Sequence, residues 1–206
     1  MIDDVAVAGF QAVLFDFDGT LVDTMPLHFE AYRRTFTEMG LVLEPEQFFR
    51  HIGGTGLETI PKFLGGRPTT WSVAQIHDRK KAVLSQLLDE LPLSPLPISH
   101  LLPLLHGHVP MAVATSGARP GVEKMIARLG WTKYFGALAT ADDVSRGKPA
   151  PDLFVEAARR LGVDPRRCLA FEDTDDGLAS ARAAGSVVID VRDMAAPTAH
   201  QQLRKA

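Results

Sequence analysis

One cysteine, Cys168, stands among 206 residues, so no disulfide can close within the chain and a reducing compartment is the expected setting. Its surroundings, Cys168-Leu169-Ala170-Phe171, read as a buried strand, which makes the thiol a packing group rather than a reactive one. No apolar stretch approaches the ~20 residues that a membrane span needs, and no basic segment followed by a long apolar one marks the start as an export signal. A cytoplasmic protein without a membrane partner is expected. An excess of one charge is lacking too. The formal net charge is -3 with acids and bases intermixed, which argues against a nucleic-acid partner. Internal repeats and low-complexity segments are absent. What is present is an ordinary globular composition, 46% hydrophobic, long enough for one good core and a smaller satellite domain.

Apolar runs at residues 10–16, Val109–Thr115, Ala137–Thr140, Cys168–Glu172 and Val187–Val191 read as strands. Between them lie helical segments, Pro120–Leu129, Pro151–Leu161 and Asp176–Ala184, each closed by a glycine. Strand and helix in alternation predict an α/β fold, a parallel sheet covered on both faces with its active site at the carboxyl ends of the strands. Residues 25–92 break the rhythm. There Leu27–Met39, Pro45–His51, Gly56–Leu64 and Ser72–Leu91 read as helices with no strand among them. The expected organisation is a core of residues 1–24 and 93–206 with an inserted helical cap, re-entered through the proline-rich passage Leu91–Pro97. A monomer is expected.

Chemistry gathers at the predicted strand ends. Asp16-Phe17-Asp18-Gly19-Thr20 puts two carboxylates one residue apart, on the same side of a strand end. Like charges in a partly buried site need a cation or a proton, although Asp-Gly after a strand is also a plain turn signal. Thr115-Ser116-Gly117 offers a hydroxyl and backbone N–H groups as a phosphate cradle; a helix N-cap explains either hydroxyl equally. Lys148-Pro149 places an ammonium on a stiffened loop, where a solvated lysine is the ordinary alternative. Glu172-Asp173-Thr174-Asp175-Asp176-Gly177 follows another strand, and its oxygen-rich cluster suits Mg²⁺. Glu172 and Asp173 are the ligand candidates, with Asp175 or Asp176 capping the next helix.

Taken together, Asp16-x-Asp18-Gly-Thr, Thr115, Lys148-Pro and Glu172-Asp173 resemble, in order and spacing, the four motifs of the haloacid dehalogenase superfamily. The stretch Phe171–Gly177 and the helical insert resemble its β-phosphoglucomutase-like branch. The stretches Pro110–Val113, Gly147–Asp152 and Ala181–Gly185 are similar to sugar phosphatases of the fructose-1-phosphatase type. The resemblance implies a three-layer Rossmann-like core with an all-helical cap and a Mg²⁺-dependent phosphatase acting on a sugar or polyol phosphate. It implies Asp16 as the nucleophile that becomes an aspartyl-phosphate and Asp18 as general acid and then base. Mg²⁺ would be held by Asp16, the Asp18 carbonyl and Asp173, with Glu172 bound directly or through water. Thr115 and Lys148, with Ser116, would hold the phosphoryl oxygens.

Two alternatives are open, a phosphomutase of the β-phosphoglucomutase type and an idle domain that binds a metal or phosphometabolite. A mutase of that kind carries a lysine and an arginine on a cap loop for a second phosphate. The corresponding stretch here, His51–Glu58, contains neither, which favours hydrolysis. His28 matches a hinge histidine of the mutases or is simply a residue of the first cap helix. Gly54 and Thr55 are candidates for substrate contact, since glycine admits close backbone approach. Arg119, just past Thr115, is a candidate for a distal substrate group or a solvated helix residue. Trp71 and Trp131 read as packing residues.

Overall fold

The computed structural model of the protein describes residues 9–52 and 56–193. The chain divides into two compact units. One runs to Asp23 and resumes at Leu93; the other begins at Thr24 and ends at Pro92.

The first unit is built on a five-stranded parallel sheet in the order β3-β2-β1-β4-β5. The strands are β1 (Ala12–Phe15), β2 (Met111–Ala114), β3 (Ala137–Ala139), β4 (Cys168–Glu172) and β5 (Val187–Asp190). β1 is central, with Val13 opposite Met111 on one side and Leu169 on the other. Every residue of β1, β2 and β4 is buried, as expected of a parallel sheet covered on both faces. On one face Ala12, Leu14, Ala112, Ala114 and Ala170 form a core with Leu153, Phe154, Ala157 and Ala158 of the helix Asp152–Leu161 and Ala181 of the helix Asp175–Ala184. Small residues on the strands let these helices approach closely. The alternate residues Phe15 and Phe171 stack with centroids 5.2 Å apart.

The helices around the sheet are α5 (Leu101–Leu105), α6 (Arg119–Arg128), α7 (Asp152–Leu161) and α8 (Asp175–Ala184). The last two end in glycines at positive φ, Gly162 and Gly185, the backbone state that stops a helix. α5 and the 3-10 turn Pro97–His100 before it were not expected from the sequence. The two connecting segments leave and re-enter this unit side by side. Asp23 N donates to the Ser94 carbonyl and Leu96 N to the Leu21 carbonyl, both at 2.9 Å.

The second unit is helical: α1 (Met25–Glu38), α2 (Pro45–His51), α3 (Gly56–Leu64) and α4 (Val73–Glu90). Its core is a cluster of Tyr32, Phe36, Leu43, Phe48, Ile60, Phe63 and Ile76, with Trp71 packed against it. Arg67 closes the unit. It donates to the carbonyls of Leu64 (3.0 Å), Val42 (2.5 Å) and Phe63 (2.5 Å) and lies over the Phe36 ring. Phe63 and Leu64 end α3, where carbonyls lack intrahelical donors; Gln47 Nε2 also reaches the Phe63 carbonyl at 2.7 Å. Arg67→Ala is expected to cost about 2 kcal/mol. Hydrogen exchange should show the loss in α1–α4, and unchanged protection there would remove the clamp from the account.

Candidate active site

Asp16 follows β1 directly, and its amide donates to the Phe171 carbonyl of β4 at 3.0 Å. The chain then turns sharply: Leu21 N returns to the Phe17 carbonyl (3.0 Å) and Gly19 N donates to Val22 O (2.8 Å). Gly19 has φ +94, and a Cβ there would lie 2.5 Å from Asp173 Oδ2. Only glycine meets both demands, the left-handed backbone and the close approach of a carboxylate. Thr20, 1% exposed, donates its hydroxyl to Asp173 Oδ1 at 3.0 Å. The loop after β1 thus orients the acid that follows β4.

Thr115, fully buried at the end of β2, donates its hydroxyl to Asp18 Oδ2 (3.1 Å) and accepts from Gly117 N (2.9 Å). It organises a turn and caps no helix, since α6 starts at Arg119 after Ala118. Ser116 is exposed in the same turn.

Lys148 Nζ reaches Asp16 Oδ1 at 2.5 Å and Glu172 Oε1 at 2.7 Å, with its side chain 7% exposed. Both ends of its loop are tied down. Asp143, upstream, accepts from Arg119, Arg160 and the Thr140 hydroxyl. Ala150, downstream, offers its carbonyl to the buried Ser180 hydroxyl of α8 at 2.6 Å. Arg119, a candidate substrate contact from sequence, is therefore committed to Asp143, Glu123 and the Leu138 carbonyl.

Glu172, 1% exposed, accepts at Oε2 from the amide (2.6 Å) and hydroxyl (3.0 Å) of Thr174. Thr174 caps α8 by accepting from Gly177 N at 3.1 Å. The expected cap, Asp175 or Asp176, lies inside the first turn instead, where its charge faces the helix dipole favourably.

Charge at this strand-end cluster is unbalanced. Burial pushes the Asp16 carboxyl well above its usual pKa; Lys148 pulls it back, and Glu172, Asp173 and Asp18 push it up again. Burial also opposes the Lys148 charge, but Asp16 and Glu172 outweigh it and keep the ammonium protonated. Lys148 is shared by two of these acids, Asp16 and Glu172, and the net push on Asp16 favours a further positive charge beside it. Among the described residues, no three acid, histidine or cysteine side chains form a closed metal cage. The all-oxygen donor set, the raised Asp16 and the glycine that admits Asp173 nevertheless fit a hard divalent ion.

The family model for haloacid dehalogenase-like hydrolases matches residues 13–191. The chain belongs to this family. This hydrolase is 36% identical over 198 residues to the Escherichia coli protein named fructose-1-phosphate phosphatase YqaB, covering 89% of this chain and 97% of that one. It is 33% identical over 180 residues to the phosphorylated carbohydrates phosphatase of Thermotoga maritima, covering 85% and 82%. The phosphate complex of CbbY from Rhodobacter sphaeroides superposes with a TM-score of 0.80 at 32% identity, covering 88% of this chain and 85% of that one.

In the helical unit of the hydrolase, His28 sits on α1 with Nδ1 2.8 Å from Lys80 Nζ of α4. Lys80 is buried and lies over the Tyr32 ring, a placement that the sequence alone did not signal. Gly54 and Thr55 lie outside the described residues. Among these no helix is long and apolar enough to cross a membrane. Thr20, Thr174 and Gly177 were also missed as site builders. Their only signal was their place inside the motifs.

Proposed function

We propose that the protein is a Mg²⁺-dependent phosphatase that hydrolyses small phosphorylated sugars or polyols through an aspartyl-phosphate on Asp16. One observation carries the reading. A buried lysine from a loop after β3 lies against Asp16 Oδ1 at the carboxyl end of the central strand. The other Asp16 oxygen takes no hydrogen bond among the described residues. The names of the two phosphatase relatives point the same way.

Asp16 attacks phosphorus in line, forming the new P–O bond as the ester P–O bond breaks. Asp18, oriented by the Thr115 hydroxyl, gives its proton to the leaving sugar oxygen. It then takes a proton from the water that hydrolyses the acyl phosphate. Lys148 and Thr115, with Ser116, bind the phosphoryl oxygens, since this chemistry needs positioning and dispersed positive charge. Mg²⁺, when bound by Asp16, the Asp18 carbonyl and Asp173, would neutralise phosphoryl charge. His28, Gly54 and Thr55 are the candidates for contact with the rest of the substrate. The protein works in the cytoplasm as a monomer on a small metabolite.

Inorganic phosphate release from a panel of sugar and polyol phosphates, with Mg²⁺ and with chelator, tests this. Metal-dependent release that peaks on one ester is expected. Conversion of glucose 1-phosphate to glucose 6-phosphate without release would replace the reading with a mutase. Silence in both assays would leave a binding domain.

A further inference from the structure

The groups proposed to hold the phosphoryl oxygens come from two turns, residues 115–117 after β2 and the lysine loop after β3. β3 is a three-residue strand at the edge of the sheet and pairs, among the described residues, with β2 alone. The sheet by itself therefore anchors the lysine loop weakly. Other contacts join the two turns. Ala141 N donates to the Gly117 carbonyl at 3.3 Å, and Arg119 N, at the start of α6, donates to Asp142 Oδ2 at 2.7 Å. The Arg119 guanidinium reaches Asp143 Oδ2 (2.6 Å), the Leu138 carbonyl (3.1 Å) and Glu123 Oε1 (3.0 Å). Asp143 Oδ2 also accepts from the amide (2.8 Å) and hydroxyl (2.7 Å) of the fully buried Thr140, and Oδ1 accepts from Arg160 of α7 at 2.8 Å. Burial opposes the Asp143 charge, but Thr140 and the two arginines hold its carboxyl well below the usual range. One acid thus ties together the end of β3, the start of α6 and the helix beyond Lys148.

From this arrangement we infer that Arg119 and Asp143 act as a latch that fixes the Thr115 turn against the Lys148 loop, which makes Arg119 a positioning residue rather than a contact for the far end of the substrate. A hydroxyl on one turn and an ammonium on another can grip one phosphoryl group only at a set spacing, and a misplacement of about 1 Å costs rate steeply. Arg119 has the shape for such a joint, because its planar fork holds a carboxylate at a fixed angle. Turning it toward a ligand would strip Asp143, 14% exposed, of a charged partner. A plain cover for the sheet edge would explain the donors on the Leu138 carbonyl, to which Arg160 also donates. It would not explain the acid between the two arginines or the Asp142 contact at the start of α6. The inference rests on the phosphatase reading in counting Thr115 and Lys148 as phosphoryl contacts.

The test is steady-state kinetics of the full chain on the preferred sugar phosphate of the panel and on p-nitrophenyl phosphate, which has no sugar for Arg119 to meet. Arg119→Met and Asp143→Asn are each expected to lower kcat about 10–100-fold on both esters, with KM within about threefold of wild type. Arg119→Lys keeps the charge and loses the fork, so it should be nearly as slow as Arg119→Met. Adding Arg119→Met to Lys148→Met should cost little beyond Lys148→Met alone, the non-additivity of residues that act as one. Hydrogen exchange supplies a second readout. The amides of Gly117, Ala141 and Ala150, each hydrogen-bonded in the wild type, should lose protection together in Arg119→Met and in Asp143→Asn, with β1 and β4 unchanged. A defect confined to KM for the sugar phosphate would make Arg119 a substrate contact and overturn the latch. Wild-type kcat in both variants, or full rescue by Arg119→Lys, or additive loss in the double variant, would overturn it as well. A wild type that hydrolyses neither ester defeats the phosphatase reading instead, and the joint loss of protection still decides the latch.

Discussion

Asp16→Asn is expected to abolish steady-state phosphate release, a fall of at least about 10⁴-fold in kcat. The amide has the shape of the carboxylate but no anionic oxygen to form the new bond. Surrounding groups cannot substitute. Asp18 is turned toward Thr115, and Glu172 has both oxygens engaged. Measurable turnover by the purified variant would defeat the covalent route. Stability should move the other way. The folded protein holds the Asp16 carboxyl above its ordinary 3.8 because the site is buried and acidic. A carboxyl raised in this way binds its proton more tightly folded than unfolded. Its contribution to stability is therefore largest at low pH and is lost as pH climbs from the ordinary value through the raised one. In chelator, Asp16→Asn should flatten that part of the stability profile and match or exceed the wild type at neutral pH. A variant less stable than wild type at neutral pH, without metal, would mean that the charge at Asp16 is favourable after all.

Lys148→Met carries the second large effect, on both activity and stability. Loss of a preorganised cation at the phosphoryl group is expected to lower kcat about 10²–10³-fold. The same change leaves Asp16 and Glu172 facing each other in a buried site without their shared ammonium. Removing one member of a buried charge pair costs about 3–5 kcal/mol, on the order of 10 °C in melting temperature for a chain of this size. Mg²⁺ should return part of that loss, because a dication supplies the missing charge. Melting scans with metal and with chelator check this directly. Equal midpoints for variant and wild type would mean that the contact adds nothing to the fold.

The fold was legible because its signals are local. Apolar runs with glycine stops mark β1–β5 and α6–α8, and the insertion shows as helices without strands. The turn and helix across residues 97–105 escaped because Pro97 and Pro103 punctuate a short apolar run that has no clear period. The motif acids and Thr115 were legible as residue types at strand ends, and Lys148 as a lysine on a loop stiffened by the next proline. Which partner each one meets was not. Thr20 finds Asp173 across 153 positions, and no local pattern encodes such a pairing. Arg119 illustrates the same limit. An arginine after a phosphate-like turn reads as a ligand contact or as a solvated helix residue, and its pairing with Asp143 and Glu123 shows only in three dimensions. In the cap, a buried lysine such as Lys80 looks like any exposed lysine until the aromatic ring beneath it is seen.

The place of β1 in the sheet has a consequence for synthesis. β1, which ends just before Asp16, is made before the other described strands of the sheet but lies in the middle, between strands that begin at Met111 and Cys168. At about 5–20 residues per second, it waits roughly 8–30 s for its second neighbour. Through that interval its edge is open to other nascent chains. The helical insert has an aromatic core of its own, and all of its residues are made before β2 appears. The order of translation therefore favours a cap that settles early, a sheet that closes late, and no working nucleophile until β4 has been laid down.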